Sequence, residues 1–248
     1  MVGIGVQSES APAFSSTVIG SYFDQSSKCR FVVARPALQP ELWLAYLAGA
    51  RNSYRRHNVE SVLRYDDICD GESTAIFFAA LGPDGKVAGG MRVQGPYRSA
   101  DQAHAMLEWA GQAGEQEVHY EISSRIPAGV VEMKTGWVDD DAVSRRSISS
   151  ALARVFVHAL GLMGVRYALG TVASHAVKRW ATSGGVVSRD VVPVAYPDDR
   201  YRTVLMWWDR ETYADLAVLD QLPAIIDESA QLAASSHSIL PSPFLVDA

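Results

Sequence analysis

Residues 129–164 read GVVEMKTGWVDDDAVSRRSISSALARVFVHALGLMG, and the handover there from an apolar strand to a long helix decides the fold. Residues 129–138 carry Val130, Val131, Met133, Trp137 and Val138, which predicts a central strand. Gly136 interrupts it with the residue type that marks a bulge or a close backbone approach. Residues 144–163 form the clearest helix of the chain. Ile148, Ala151, Leu152, Val155, Phe156, Ala159 and Leu160 share one face, and Gly164 supplies the stop. Residues 165–173 (VRYALGTVA) are the next strand.

Working outward, residues 30–34 (RFVVA) are a short strand, and residues 40–60 a helix with Leu42, Leu44, Leu47 and Ala50 at helical spacing. Residues 74–81 and 87–93 flank GPDGK, whose Pro-Asp-Gly run signals a tight reversal, so they pair as a hairpin. Residues 100–113 read as a second helix. Beyond the central unit come a short helix through Trp180, strands at 186–194 and 201–208, and a helical segment at 211–233 despite Pro223. This order predicts an α/β fold, one mixed central β-sheet flanked by helices, with a bulge or splay in its central strand. Residues 1–28, rich in Ser, Ala and Gly, read as a loosely attached arm, 29–234 as one domain, and 235–248 as a tail. Ile239, Leu240, Phe244 and Leu245 in that tail are free either to stay disordered or to dock on the body or on a second copy, as in a homodimer.

The bulk numbers narrow the function. The chain has 248 residues, 48% of them hydrophobic, enough for a sizeable core. With 22 Lys+Arg against 28 Asp+Glu the net charge is -6, which argues against a nucleic-acid or anionic-membrane surface but leaves room for a local phosphate site. Cys29 and Cys69 fit neither a disulfide framework nor a zinc spacing, and point to a reducing, cytoplasmic setting. No stretch approaches the ~18 apolar residues of a membrane span. The six histidines lack HExxH spacing, and Asp139, Asp140 and Asp141 read as a solvated loop before the helix, so no metal is expected.

At the strand-to-helix junction, Arg146–Ala151 reads RSISSA. A helix start offers unpaired N–H groups and about half a unit of positive charge, and so attracts anions. Arg145 and Arg146 add charge, while Ser147, Ser149, Ser150 and Ala151 are small enough to admit phosphate oxygens to the backbone. After the next strand comes ASHAVKRWATSGG, residues 173–185. Over residues 30–209 this order resembles the GNAT acyltransferases, whose junction pattern is Q/RxxGxG/A and whose later segment is NxxAxxLYxKxGF. Arg146, Ala151, Ala176 and Gly184 match those patterns. Ser149 replaces a glycine, and Trp180 stands where a tyrosine often protonates the departing thiolate, which an indole cannot do.

Within that superfamily four segments resemble the branch of acyl-homoserine-lactone synthases and long-chain N-acyl amino acid synthases. They are RNSYR from Arg51, RYDDICD with Asp67 and Asp70, GGMRVQGPY with Arg92, and EMKTGWV from Glu132. The last matches the branch's ExxR strand with Thr135 in place of the arginine. The resemblance implies an N-acyltransferase that takes its acyl group from the phosphopantetheine thioester of acyl-CoA or an acyl carrier protein and passes it to the amine of a small molecule or amino acid. It implies a donor site at Trp137, Val138, Arg145, Arg146, Ser147, Ser149, Ser150 and Ala151, and an acceptor site at Arg51, Asp67, Asp70 and Arg92. Arg145, Arg146, Lys178 and Arg179 would suit an acidic carrier.

Glu132, on a half-buried strand, is the candidate proton acceptor, since burial raises a carboxyl toward the useful range. Pairing with Arg92 across the sheet is the structural alternative. A backbone N–H freed near Gly136 is the candidate oxyanion donor. Arg51, Arg92, Asp67 and Asp70 are expected to form an internal ion-pair network. The competing reading is a non-catalytic module of the same shape that binds an acyl thioester as a sensor or subunit.

Overall fold

Segments whose side chains alternate between two buried faces assemble into one sheet, seen in a computed structural model that describes residues 18–235. Its strands are β1 (Val18–Asp24), β2 (Cys29–Ala34), β3 (Ile76–Leu81), β4 (Val87–Gln94), β5 (Val130–Val138), β6 (Tyr167–Ala173), β7 (Val186–Val187) and β8 (Thr203–Asp209). The helices are α1 (Pro40–Arg56), α2 (Tyr65–Ile68), α3 (His104–Glu108), α4 (Glu115–Arg125), α5 (Arg145–Met163), α6 (Val177–Trp180), α7 (Tyr213–Leu216) and α8 (Leu222–Ser235). Spatial order is β1-β2-β3-β4-β5-β6-β8-β7. Every pairing is antiparallel except β5 with β6, which α5 joins as a parallel pair.

The period-two alternation sorts the core into layers. Phe31, Val33, Phe78, Met91, Val131, Met206 and Trp208 face α5 and α8, and the predicted apolar stripe of α5 is buried against them. The opposite side chains meet α1 at one end, through Trp43, Tyr46, Phe77 and Trp137. At the other end Val130, Leu169, Leu205 and Trp207 meet α3 and α4. Neighbouring Trp207 and Trp208 therefore serve opposite layers. Gly49 lets α1 lie flat on Trp137, because a Cβ there would come within 2.0 Å of the indole ring.

Two irregularities in β5 open the sheet. Gly90 pairs with Trp137 and Arg92 with Lys134, so Thr135 and Gly136 together oppose Met91 as a bulge. The predicted interruption is present, but Thr135 carries the strained left-handed backbone, at φ 53°. On its other edge β5 pairs with β6 only over Val130–Met133 and Tyr167–Gly170, after which the two strands part. β6 stays paired with β8 as far as Ala173 and β5 with β4 as far as Val138, so the sheet splits between β5 and β6.

Several elements differ from the sequence reading. Residues 18–28, assigned to a loose arm, form β1 and its turn into β2. The β1 backbone is also tied to α8: Ser21 N donates to Ser235 Oγ at 2.9 Å and Phe23 N to Gln231 Oε1 at 2.8 Å. The expected helix at 100–113 is a 3-10 turn plus the short α3, and α4 follows unanticipated. α1 stops at Arg56, the strand expected at 186–194 shrinks to two residues, and the segment from Glu211 splits into α7 and α8. The remainder of the arm and the tail with Ile239, Leu240, Phe244 and Leu245 lie outside the described residues.

Candidate functional site

A cavity of about 780 Å³ fills the gap between β5 and β6, with walls from both faces of the sheet. Arg145, Ser149, Leu152 and Phe156 of α5 contribute from one face, and Tyr54, His104 and Glu108 from the other. Two reactants can therefore approach one point from opposite sides.

At the α5 end, Trp137, Val138, Arg145 and Ser149 line the cavity, facing His175, Arg179 and Trp180. Trp137 Nε1 is buried without a hydrogen-bond partner. Arg145 holds Asp140 at 2.8 Å, and Arg56 spans Asp139, Asp140 and Asp141, so the acidic loop is an ion-paired latch on the helix start. Arg146 and Ser147 lie on that first turn, with Arg146 exposed. Ser150 and Ala151 turn elsewhere: Ser150 Oγ accepts from Gln221 Nε2 at 2.8 Å, and Ala151 is sealed in the core.

At the bulge, Arg92 is 3% exposed and donates only to hydroxyls, Thr135 Oγ1 at 3.1 Å and Thr74 Oγ1 at 3.2 Å. Among the described residues no carboxylate pairs with it. Burial pushes its guanidinium below the ordinary value, partly offset by Tyr46 and Glu132. Tyr46 Oη donates to the Thr135 carbonyl at 2.7 Å, so Arg92 and Tyr46 hold the strained residue from two sides. Gln94 Oε1, another buried atom without a partner, shares this wall. Buried polar atoms left unpaired inside a cavity are what an incoming ligand or water satisfies.

Glu132 is fully buried, yet off the cavity wall. Its Oε2 accepts from Tyr97 Oη at 2.8 Å and His104 N at 2.7 Å, and its Oε1 from Ala105 N at 3.1 Å. It thus caps the first turn of α3, a favourable position for an anion. The alternative pairing of Glu132 with Arg92 across the sheet does not form: Arg92 lies opposite Lys134, and Glu132 opposite Gln94. Lys134 reaches under the splay to Glu108 Oε1 and to Thr171 Oγ1 at 3.1 Å, and its Nζ is 3.9 Å from Glu132 Oε1. Thr171 Oγ1 and His104 Nδ1 also meet Glu108 Oε1, each at 3.0 Å, while Glu108 Oε2 has no partner. Burial pushes Glu108 up, but Lys134 and His104 outweigh it and hold the carboxyl at about 2. Burial likewise disfavours charge on Lys134, but Glu108 and Glu132 leave its ammonium above the ordinary value. His104, Glu108 and Glu132 are close enough to share a cation, but the Lys134 ammonium already sits on Glu108 and supplies that charge.

The expected network of Arg51, Arg92, Asp67 and Asp70 does not form. Arg51 is exposed and pairs with Glu60 at 2.7 Å, Asp67 pairs with Arg64 at 2.6 Å on the cavity rim, and Asp70 caps a turn through Glu72 N. Sequence reading passed over His104, Glu108, Lys134 and Thr171. The one legible signal was the i,i+4 spacing of His and Glu in HAMLE.

No family model matches the chain. Over 212 residues, 86% of this chain and 81% of the relative, it is 48% identical to uncharacterized protein Rv1356c of Mycobacterium tuberculosis (strain ATCC 25618 / H37Rv). The chain belongs to this family. Uncharacterized protein Mb1391c of Mycobacterium bovis matches to the same extent. Among solved structures, FeeM, an N-acyl amino acid synthase from uncultured soil microbes, superposes with TM-score 0.52 at 13% identity, over 78% of this chain and 97% of that one. BjaI, a CoA-dependent acyl-homoserine lactone synthase with SAM and isopentyl-CoA, superposes with TM-score 0.52 at 16% identity, over 80% of this chain and 94% of that one. This chain thus has the GNAT-like fold that the junction motifs implied.

Proposed function

We propose that the chain is an N-acyltransferase that moves an acyl group from a pantetheine thioester to the amine of a small acceptor bearing a carboxylate, such as an amino acid. The observation that carries this reading is the two-faced cavity in the β5–β6 gap, with a helix start at one end and the carboxylate-free, buried Arg92 at the other. Past Met133 the β6-facing edge of β5 has no strand against it, which suits a pantetheine arm lying there as a surrogate strand. Exposed Arg146, with Arg179 on the facing rim, suits phosphate, whether of acyl-CoA or of an acyl carrier protein. Trp137, Val138 and Ser149 would flank the arm, and the bulge amides would polarise the carbonyl. Arg92 would hold the acceptor carboxylate, a demand that a desolvated guanidinium meets well.

In the reaction the amine nitrogen attacks the thioester carbon, the tetrahedral adduct loses a proton from nitrogen, and the C–S bond breaks to leave an amide and a thiolate. Trp180 has no acidic proton for the sulfur, so water protonates it. The test is free-thiol release with a panel of acyl-CoAs and acyl carrier proteins against amino acids and simple amines. Acyl transfer predicts release that depends on the acceptor. Donor binding without release for any pair would instead favour the non-catalytic thioester-binding module.

A further inference from the structure

We propose that His104, oriented by Glu108, is the group that takes the proton from the acceptor nitrogen, and that Glu132 acts as a positioning residue for it. This deepens the acyltransfer reading and rests on it. The proton acceptor has to face the reacting atoms. Glu132 does not line the cavity and its carboxylate is occupied by three donors, whereas His104 lines the wall opposite α5. The His104 Nδ1 contact with an ionised Glu108 fixes the tautomer, because a carboxylate only accepts. In the neutral imidazole Nδ1 therefore carries the hydrogen, and Nε2, with no partner among the described residues, is the nitrogen that accepts a proton.

The arrangement is locked from behind. Glu108 is held by Lys134 and Thr171 from two different strands, which stops its carboxylate swinging off the imidazole. Glu132 grips the backbone N–H of His104 itself at 2.7 Å, so its side chain sets where the ring starts from. The charged and titratable groups around the imidazole are Glu108 on its own helix, Tyr54 from α1, Glu132 and Lys134 from β5, Arg92 from β4, Tyr97 and Asp101 before α3, and Tyr196 before β8. In the step, Nε2 accepts a proton from the ammonium of the tetrahedral adduct. The electron pair left on nitrogen helps expel the thiolate, and the imidazolium returns its proton to water in the cavity.

The experiment is the pH profile of kcat for thiol release by wild type, His104→Ala, His104→Gln and Glu132→Gln. Donor affinity is read in parallel by calorimetry with the free thiol form of the donor. A general base contributes about 10²- to 10⁴-fold, so both His104 variants should lose that much in kcat while donor affinity stays within a few-fold. Their acid limb should vanish, and added imidazole should restore part of the rate to His104→Ala. Glu132→Gln should lower kcat but keep the wild-type acid limb. Turnover in the His104 variants within a few-fold of wild type, or an acid limb lost in Glu132→Gln and kept in His104→Gln, overturns the assignment and leaves acyl transfer standing. Wild-type protein that releases no thiol with any pair overturns acyl transfer itself and this assignment with it.

Discussion

The sheet carries a buried charge network on each face, and the two end differently. Between β1, α5 and α8, Arg154 donates to Glu228 at 2.6 and 2.7 Å, to Asp24 at 2.8 Å and to Gln221 at 2.8 Å, while Glu228 also meets His158 Nε2 at 2.8 Å. That network closes on itself, and its neighbour Tyr22 Oη, though unpartnered, is fully buried. On the other face Arg92 lacks a carboxylate and Glu108 Oε2 lacks a donor, and both residues look into the cavity. Burial of charge is common to both. What separates architecture from a site is whether the unused hydrogen-bonding capacity faces a space that a ligand can enter.

The comparison breaks most directly at its two arginines. Arg154→Met strands Asp24 and Glu228 in a dry layer, and removing one partner of a buried ion pair costs about 3–5 kcal/mol. Urea or thermal unfolding should register a loss of that size. Arg92→Met removes a desolvated cation and two hydroxyl contacts, terms that oppose one another, so stability should move by about 1 kcal/mol or less. Its effect should emerge as a loss of about 10²-fold in kcat/KM for an acceptor with a carboxylate, and little for one without. If Arg92→Met unfolds the protein as Arg154→Met does, the distinction between closed and open networks fails.

The same contrast explains what the sequence made legible. Residues 144–163 and the hairpin around GPDGK were readable because packing there is apolar and periodic. β1 was hidden because one of its inward residues is Asp24, a charge that makes sense only beside Arg154 from 130 positions away. α4 was hidden for a like reason: EQEVHYEISSR is mostly polar, and the burial of Glu121 is matched by Trp207 Nε1 and Ser188 Oγ, which bind it, and by Arg125 at 3.6 Å. Arg92 and Glu132 were singled out through motif resemblance, but the partners they have in the structure were not. The register that sets Arg92 against Lys134, and the splay that brings Lys134 to Glu108, are tertiary facts. His104 and Glu108 lay in plain view at helical spacing and read as one ordinary amphipathic turn.

Acid sharpens the open network further. The Glu108 carboxyl is lowered from 4.5 to about 2, so the unfolded chain takes up its proton first as pH falls. Its contribution is therefore complete above about pH 4.5 and is lost as pH drops toward about 2. A shift of that size in a buried group corresponds to roughly 3 kcal/mol. Unfolding curves of wild type and Glu108→Gln should differ most at neutral pH and converge through that window. Parallel curves across it would mean that Lys134 and His104 do not hold the carboxylate ionised.

The smallest effect belongs to Glu60, which makes a control of unusual quality for Glu108. Its carboxyl is also held at about 2, here by hydrogen bonds from Arg55 and Arg51. Yet all three side chains stand in solvent, at 58%, 47% and 36% exposure for Arg55, Arg51 and Glu60. Water competes for each of those bonds and screens each charge, and holding long side chains in register costs entropy. Glu60→Gln should therefore unfold together with wild type at neutral pH, and the two curves should overlay through the acid window in which Glu108→Gln converges on wild type. Two carboxyls held equally low would then differ in consequence for one reason, that Glu108 is buried and the Glu60 side chain is open to solvent. Should Glu60→Gln track Glu108→Gln instead, burial is not what gives the cavity network its energy, and the contrast between the two faces of the sheet would have to be rebuilt on charge count alone.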